Sequence, residues 1–570
     1  MPDPVWVRYT SVKMFNFNIG VLGHVDSGKT TLSRCISTTA STAAFDKNPQ
    51  SQERGITLDL GFSCFDLPAP QSVASVTSNI QITLVDCPGH ASLIRTIIAG
   101  AQIIDAMILV VDVTKGIQTQ TAECLVIGEI LCSHLLVVLN KVDLLPLDKR
   151  SAMTEKMTKR IRMALQSTKF SDVKIVPVAA KPGGGVENNS LDTEPVGIQD
   201  LLVAIQEMIY VPTRSNAGPF VFAVDHCFGI RGQGTIMTGT VLQGAVAIND
   251  SIEIPSLAIS KKVKSMQMFR KPVEKAIQGD RVGICVTQFD PKLLERGFAC
   301  TPGFIKSAYA LLVRVVKIPY YKLAIETKAK FHISVGNETV MSKIVLFGSE
   351  VECPDDSFDY NREYKHQEEL MDVKAIEASE NCKLRAQYAV LHLERRVPVL
   401  PNSFIIGSKL DMDAHTNMCR LAFKGTVLEI FSVKEYAETQ LPNIKVFKNK
   451  TKEGIVERLN NDSEVIVRNL FNKDTNLQPF IGLKVRLSTG EEGVIDGHFG
   501  TSGKIKVFIA KGLLPDTKNT LQAQSSGKKK GKNAGEAMQS LTLEDRQNLV
   551  IRVKLDFKRY LFSVGKKMIQ

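Results

Sequence analysis

The chain reads as an α/β P-loop domain, doubly wound on a mostly parallel sheet, followed by three β-barrel domains. Three observations carry that expectation. First, Gly23-His24-Val25-Asp26-Ser27-Gly28-Lys29-Thr30 fits the phosphate-loop pattern G-x-x-x-x-G-K-[ST] at every fixed position. It lies between a strand-like run at 15–22 and a stretch at 31–39, free of Gly and Pro, that opens a helix. Second, apolar runs alternate with amphipathic ones over 15–212, as repeated βα units require. Third, beyond Pro212-Thr213-Arg214 the pattern changes to short alternating strands broken by glycine, the mark of small barrels. With 570 residues the chain is too long for one core, and three to four domains is the expectation from length alone.

A phosphate loop works where a strand meets a helix N-terminus, because backbone N–H groups and the helix dipole converge there on an anion. Asp26, Ser27, Gly28, Lys29, Thr30 and Thr31 are the candidate phosphate binders. Lys29 would reach the terminal phosphates, and the Thr30 hydroxyl would ligate Mg²⁺. Buried strands are expected at 82–86, 107–111, 135–139 and 174–178, and ligands of such sheets bind at strand carboxyl ends. The first ending, Asp86-Cys87-Pro88-Gly89-His90, supplies a carboxylate for the Mg²⁺ shell through water and, at Gly89, an N–H for a γ-phosphate. Another ending, Asn140-Lys141-Val142-Asp143, supplies a carboxylate that accepts two N–H bonds from guanine, a donor pair that adenine lacks. Ala179-Ala180-Lys181 supplies backbone N–H for the guanine carbonyl. Gln52-Glu53-Arg54-Gly55-Ile56-Thr57 is polar enough for a switch, with Thr57 a second hydroxyl ligand to the metal.

In this order, G-H-V-D-S-G-K-T, R-G-I-T, D-C-P-G-H, N-K-V-D and A-A-K closely resemble the translational GTPases of the elongation factor Tu type. The resemblance implies GTP hydrolysis to GDP with Mg²⁺ bound. It makes His90 the residue that positions the hydrolytic water or stabilises its transition state, where Ras-like GTPases carry glutamine. It also implies that Val25 and Ile56 form an apolar gate keeping His90 away until a ribosome docks. Read from the residues alone, His90 could equally be a surface or structural histidine.

Residues 1–13 are expected to be a disordered extension and 14–212 the GTP-binding domain. The first barrel spans 213–307; Arg231-Gly232-Gln233-Gly234-Thr235 and Thr238-Gly239-Thr240-Val241 resemble barrel two of the family. The second barrel spans 308–427, with a polar insertion at 354–367 expected as an exposed loop. The stretch 428–570 has no counterpart in elongation factor Tu and is expected to be a basic β domain with a disordered loop at about 516–545. That extra domain, with Val224-Asp225-His226-Cys227-Phe228 and Gly279-Asp280-Arg281-Val282-Gly283-Ile284, resembles the selenocysteine-specific branch of the family. The branch implies an aminoacyl pocket of Asp225, His226 and Arg281. A selenol is far more acidic than a serine hydroxyl, so the ester presents a selenolate to the permanently cationic Arg281. His226 offers a donor and Asp225 accepts from the α-amino group. Without the family, Asp225 and Arg281 read as a structural ion pair.

The formal charge of +12 divides into about −2 over 1–212, about +5 over 213–427 and about +9 over 428–570. A basic far end fits a polyanionic partner gripped away from the nucleotide. Eleven cysteines without a C-x-x-C pair argue against a zinc knuckle, a redox dithiol or a secreted disulfide framework. No apolar run approaches the ~18 residues of a membrane span, and 1–13 lacks the apolar segment of a signal peptide. The expected setting is the cytoplasm, with Lys528-Lys529-Lys530-Gly531-Lys532 a nuclear-import or RNA-contact candidate set against a plain solvated loop. The branch implies selenocysteinyl-tRNA, the ribosome and a protein that binds the messenger's recoding element as partners of a monomer that needs no membrane. Two other readings stand beside it: the gamma subunit of initiation factor two, and the GTPase subunit of a sulfate adenylyltransferase.

Overall fold

The computed structural model describes residues 15–40, 60–74, 77–88, 103–166, 168–182, 194–336, 338–351, 357–378, 384–412, 418–500, 503–526, 550–563 and 568–570. The first sheet comprises β1 (Phe15–Gly23), β2 (Thr39–Ala40), β3 (Gly61–Pro68), β4 (Asn79–Asp86), β5 (Ala106–Asp112), β6 (Leu135–Asn140) and β7 (Ile175–Pro177), in the order β2-β3-β4-β1-β5-β6-β7. From β4 to β7 every pairing is parallel, while β3 runs antiparallel to β4. The four expected strands fall on β4 to β7. Both faces of β5 are covered, so its residues read as an unbroken apolar run. Met107, Leu109 and Val111 point into one core beside Phe62, Cys124 and Ile127; Ile108 and Val110 point into the other beside Phe17, Ile19 and Leu32. Chain order reverses on either side of β1, which opens the crevice where such sheets hold ligands.

Three six-stranded barrels follow. The first closes where Ser251–Ile254 pairs with Ile259–Met268, and the second where Lys330–Val335 pairs with Glu338–Ser349. The third closes where Lys445–Asn461 pairs with Arg552–Tyr560. Each has its own apolar core, centred on Phe222 and Ile284, on Leu311 and Phe331, and on Val465 and Leu555.

The chain forms two compact units. One holds the described residues of Met1–Leu346, Glu368–Lys383 and Gln387–Val433; the other holds those of Phe347–Gln367, Leu384–Ala386 and Lys434–Gln570. Two expectations change here. The polar insertion contains strand Glu363–His366, which pairs in parallel with Lys445–Asn461 and buries Tyr364 completely. The loop expected from about 516 begins as a helix, Pro515–Ser526, because Thr517 and Leu521, four residues apart, share a buried face. Residues 1–13 and 527–549 lie outside the described residues. Among the described residues no helix is long and apolar enough to cross a membrane.

Candidate functional site

β1 leads through the phosphate loop into helix α1 (Lys29–Ile36). Gly28 sits at φ 91°, where side chains are disfavoured, and a Cβ there would fall 2.2 Å from Asn140 Nδ2. The loop backbone is therefore bare and drawn against the end of β6. Asp26 is exposed at φ 59°, and Thr31 is half-buried on α1. Lys29 is 6% exposed and donates to the His24 carbonyl at 2.7 Å. Burial pulls its pKa below the ordinary lysine value, against the attraction of Asp86. A cationic amine held under a glycine cradle fits a polyphosphate that would restore its charge balance. The Ser27 hydroxyl is buried without a hydrogen-bond partner, a second sign of a place made for an acceptor.

Thr30 Oγ1 donates to Asp86 Oδ2 at 2.6 Å, so the two oxygens expected near Mg²⁺ are neighbours. A hydroxyl beside a carboxylate is the all-oxygen donor set that a hard dication takes. His90, Gly89, Ile56 and Thr57 lie outside the described residues. Val25, the other residue expected in the gate, is half-buried, and its N–H donates to Gln120 Oε1 at 3.3 Å.

At the guanine end the Asn140 amide donates to the Ser27 carbonyl at 3.0 Å and accepts from Ala180 N–H at 3.3 Å. It braces the phosphate loop and the Ala179-Ala180 segment against each other. Lys141, at φ 65°, reaches Asp112 Oδ2 at 3.0 Å. Burial pushes the Asp112 carboxyl up, but hydrogen bonds from Thr114 and Lys141 outweigh it and hold the pKa below its usual value. Arg150 donates to the Asp143 carbonyl at 3.1 Å; Asp143 is half-buried, Lys181 is exposed, and Ala179 and Ala180 are buried. Asp112, at the end of β5, is the partner of Lys141 that the motifs did not reveal.

In the first barrel Asp225, His226 and Arg281 come together. Asp225 and His226 lie on strand Val221–Ile230, where the register shifts between Val224 and His226; Arg281 begins strand Arg281–Val286. Arg281 Nη1 donates to Asp225 Oδ2 at 2.5 Å, with both side chains buried, so the structural ion pair is present; of the three residues Arg281 alone lines the neighbouring cavity. Arg281 Nη2 is buried without a partner. The residue lines a cavity of about 370 Å³ together with Thr238, Lys264, Arg270 and Cys285. His226 is held by its own backbone neighbour. Its Nδ1–H donates to the Asp225 carbonyl at 2.6 Å, and burial lowers its pKa, so the free neutral ring keeps Nε2 as an acceptor. The cavity's additional cations, Lys264 and Arg270, were not legible because surface lysines and arginines are common on any strand.

Family models cover most of the chain. The elongation factor Tu GTP binding domain matches 15–213, and elongation factor Tu domain 2 matches 234–301. The third domain of eukaryotic selenocysteine-specific elongation factors matches 312–425, and the eEFSec C-terminal RIFT domain matches 442–566. The selenocysteine-specific elongation factor of Mus musculus is 52% identical over 97% of this chain and 99% of its own. The chain belongs to the selenocysteine-specific elongation factors. The family member from Methanocaldococcus jannaschii is 33% identical over 87% of this chain and 94% of its own. Among solved structures, translation elongation factor SelB from Methanococcus maripaludis with a GTP analogue covers 97% of this chain and 100% of its own (TM-score 0.63, 24% identity). The apo form of that protein covers 96% and 100% (TM-score 0.60, 25% identity).

Membership makes the sheet domain that of a translational GTPase, and it displaces both rival readings, since the models for the third and fourth domains are specific to this family. The residues expected at the phosphate loop, the guanine end and the aminoacyl pocket that are described lie on one compact unit, with Asn140 bracing the loop and Arg281 paired to Asp225.

Proposed function

We propose that this chain binds GTP with Mg²⁺, carries selenocysteinyl-tRNA, and delivers it to a ribosome paused at a recoded UGA codon. Lys29, Ser27 and the bare loop backbone hold the phosphates, and Asp143 reads guanine. Thr30, with Thr57 as a second hydroxyl and Asp86 through water, would hold the cation, which would supply neutralisation of phosphate charge. Hydrolysis then proceeds by positioning and charge stabilisation, with no covalent intermediate. His90 is assigned to the attacking water and Val25 with Ile56 to the gate. A protein that binds the messenger's recoding element is assigned to the basic C-terminal region, and the setting is the cytoplasm.

The observation that carries the reading is Arg281, a buried cation with one unpartnered N–H edge lining an amino-acid-sized cavity. An anionic side chain gives the unpartnered Nη2–H a charged acceptor beside the Asp225 pair; a neutral hydroxyl gives it only a weaker one. The test is competitive binding of the GTP form to selenocysteinyl-, seryl- and bulk aminoacyl-tRNA. A strong preference for the first is expected. Equal affinity for the selenocysteinyl and seryl forms would make the protein a general carrier.

A further inference from the structure

The sheet domain reaches into the recognition pocket of the first barrel. The Phe62 ring, on β3 and fully buried, lies with its centroid 3.0 Å from Arg281 Cζ. With that ring on its face and Asp225 at one edge, the guanidinium has a single orientation, and the edge left over is Nη2. A second contact fixes the backbone just before it. Asn16 and Asn18, on β1, donate to the Gly279 carbonyl at 2.7 and 3.0 Å. Arg214 packs so closely on Gly279 that a Cβ there would lie 2.1 Å from its guanidinium carbon.

The strand that supplies the ring also borders the phosphate site. β3 pairs with β4 in the register Gly61↔Asp86 and Phe62↔Val85, and Asp86 accepts from Thr30 at 2.6 Å. The ring that orients Arg281 and the carboxylate tied to the phosphate loop are thus one register step apart on a single antiparallel pair. Gly61 and Phe62 are therefore hydrogen-bonded in register to the end of β4 that carries Asp86, the partner of Thr30.

We propose that Phe62 is a positioning residue that makes the readiness of Arg281 for an anionic aminoacyl side chain depend on the nucleotide at the phosphate loop. The proposal rests on the functional reading above. It also explains how the pocket tolerates an ion pair when empty. An ester with an α-ammonium and a selenolate carries the two charges that Asp225 and Arg281 exchange between themselves, so it replaces their pair pole for pole. A seryl ester replaces only one pole, and the arginine is left charged against the ring.

The test uses the full chain. Phe62→Leu removes the aromatic face and leaves a smaller apolar side chain, and Phe62→Met serves where leucine disturbs β3. Affinities for selenocysteinyl- and seryl-tRNA are measured with GTP analogue and with GDP, for wild type, the Phe62 variant, Arg281→Ala and the double variant, after normal nucleotide binding has been established for each. In the GTP form the Phe62 variant should lose selenocysteinyl preference on the order of ten-fold, the scale of a desolvated cation–aromatic contact. Its GTP-over-GDP difference for selenocysteinyl-tRNA should shrink, and the double variant should match Arg281→Ala alone. A Phe62 variant with wild-type preference and nucleotide dependence, or one whose effect simply adds to that of Arg281→Ala, overturns the proposal. A wild type without selenocysteinyl preference would instead overturn the functional reading.

Discussion

Asn140 shows how a residue legible as a type can serve a second purpose. N-K-x-D marks a guanine site by spacing, but its asparagine spends its amide on the Ser27 carbonyl and the Ala180 N–H. Asn140→Ala removes two buried hydrogen bonds, worth about 2 kcal/mol together. GDP and GTP should both dissociate faster, with affinity lowered more than ten-fold and guanine selectivity largely kept by Asp143; stopped-flow nucleotide release measures this. Unchanged release would mean that the brace is idle. His226 gives a second prediction at this scale. Burial keeps the free ring neutral at pH 7, with Nε2 an acceptor. To donate to a bound selenolate it must gain a proton, and the anion raises its pKa. Binding of selenocysteinyl-tRNA near pH 7 should therefore take up a proton, and less of one as pH rises. Calorimetry in buffers of different ionisation enthalpy reads the uptake directly, and its absence would remove His226 from the donor set.

The helix Thr119–Leu131 joins three parts of the first unit. Gln120 holds the Val25 N–H, and Glu123 takes both Arg420 Nε and Nη2 at 2.8 Å, with both side chains buried. Glu129 accepts from the Tyr320 hydroxyl at 3.2 Å, and Leu421 and Ile318 of the second barrel share a core with Cys124 and Ile127. Apolar positions on this helix were legible, as were the strands and the phosphate loop, because each is a local pattern. Glu123 was not, because a single glutamate on a helix reads as solvent-facing and its partner lies 297 residues away. Phe62 escaped for the same reason: nothing near it in sequence distinguishes it from a core phenylalanine. Removing one member of the buried pair, as in Arg420→Ala, leaves an uncompensated charge and should cost about 3–5 kcal/mol. The double change Glu123→Leu with Arg420→Leu should cost clearly less. Urea unfolding of the three proteins compares them. A double variant as unstable as the single one would show that the pair does more than cancel its own desolvation.

At the scale of the whole chain, compact units and sequence order part company. The second unit takes in Phe347–Gln367 and Leu384–Ala386, which lie between strands of the second barrel in sequence. No composition shift announces this, because an insertion rich in Asp, Glu and Arg looks like a solvated loop until its strand finds a partner. Glu363 pairs with Lys445 in register, meets Lys558 Nζ at 2.6 Å and accepts from the Tyr560 hydroxyl. Phe358 stacks on the buried Tyr364 at 4.7 Å. Truncation at residue 427 therefore does not release a clean core: it strips strand Glu363–His366 of its neighbour and leaves Phe358 and Tyr364 uncovered, an edge prone to association. That truncated protein should bind GDP yet aggregate, as light scattering would reveal. A second version in which a short Gly-containing turn also replaces 350–364, sparing buried Leu370 and the rest of Glu368–Lys383 that belong to the first unit, should stay dispersed, bind GDP normally, and lose part of the salt dependence of tRNA binding in proportion to the phosphate contacts of the basic unit. If the plain truncation proves as well dispersed as the repaired one, strand Glu363–His366 folds without its parallel partner, and the second unit begins at Lys434 after all.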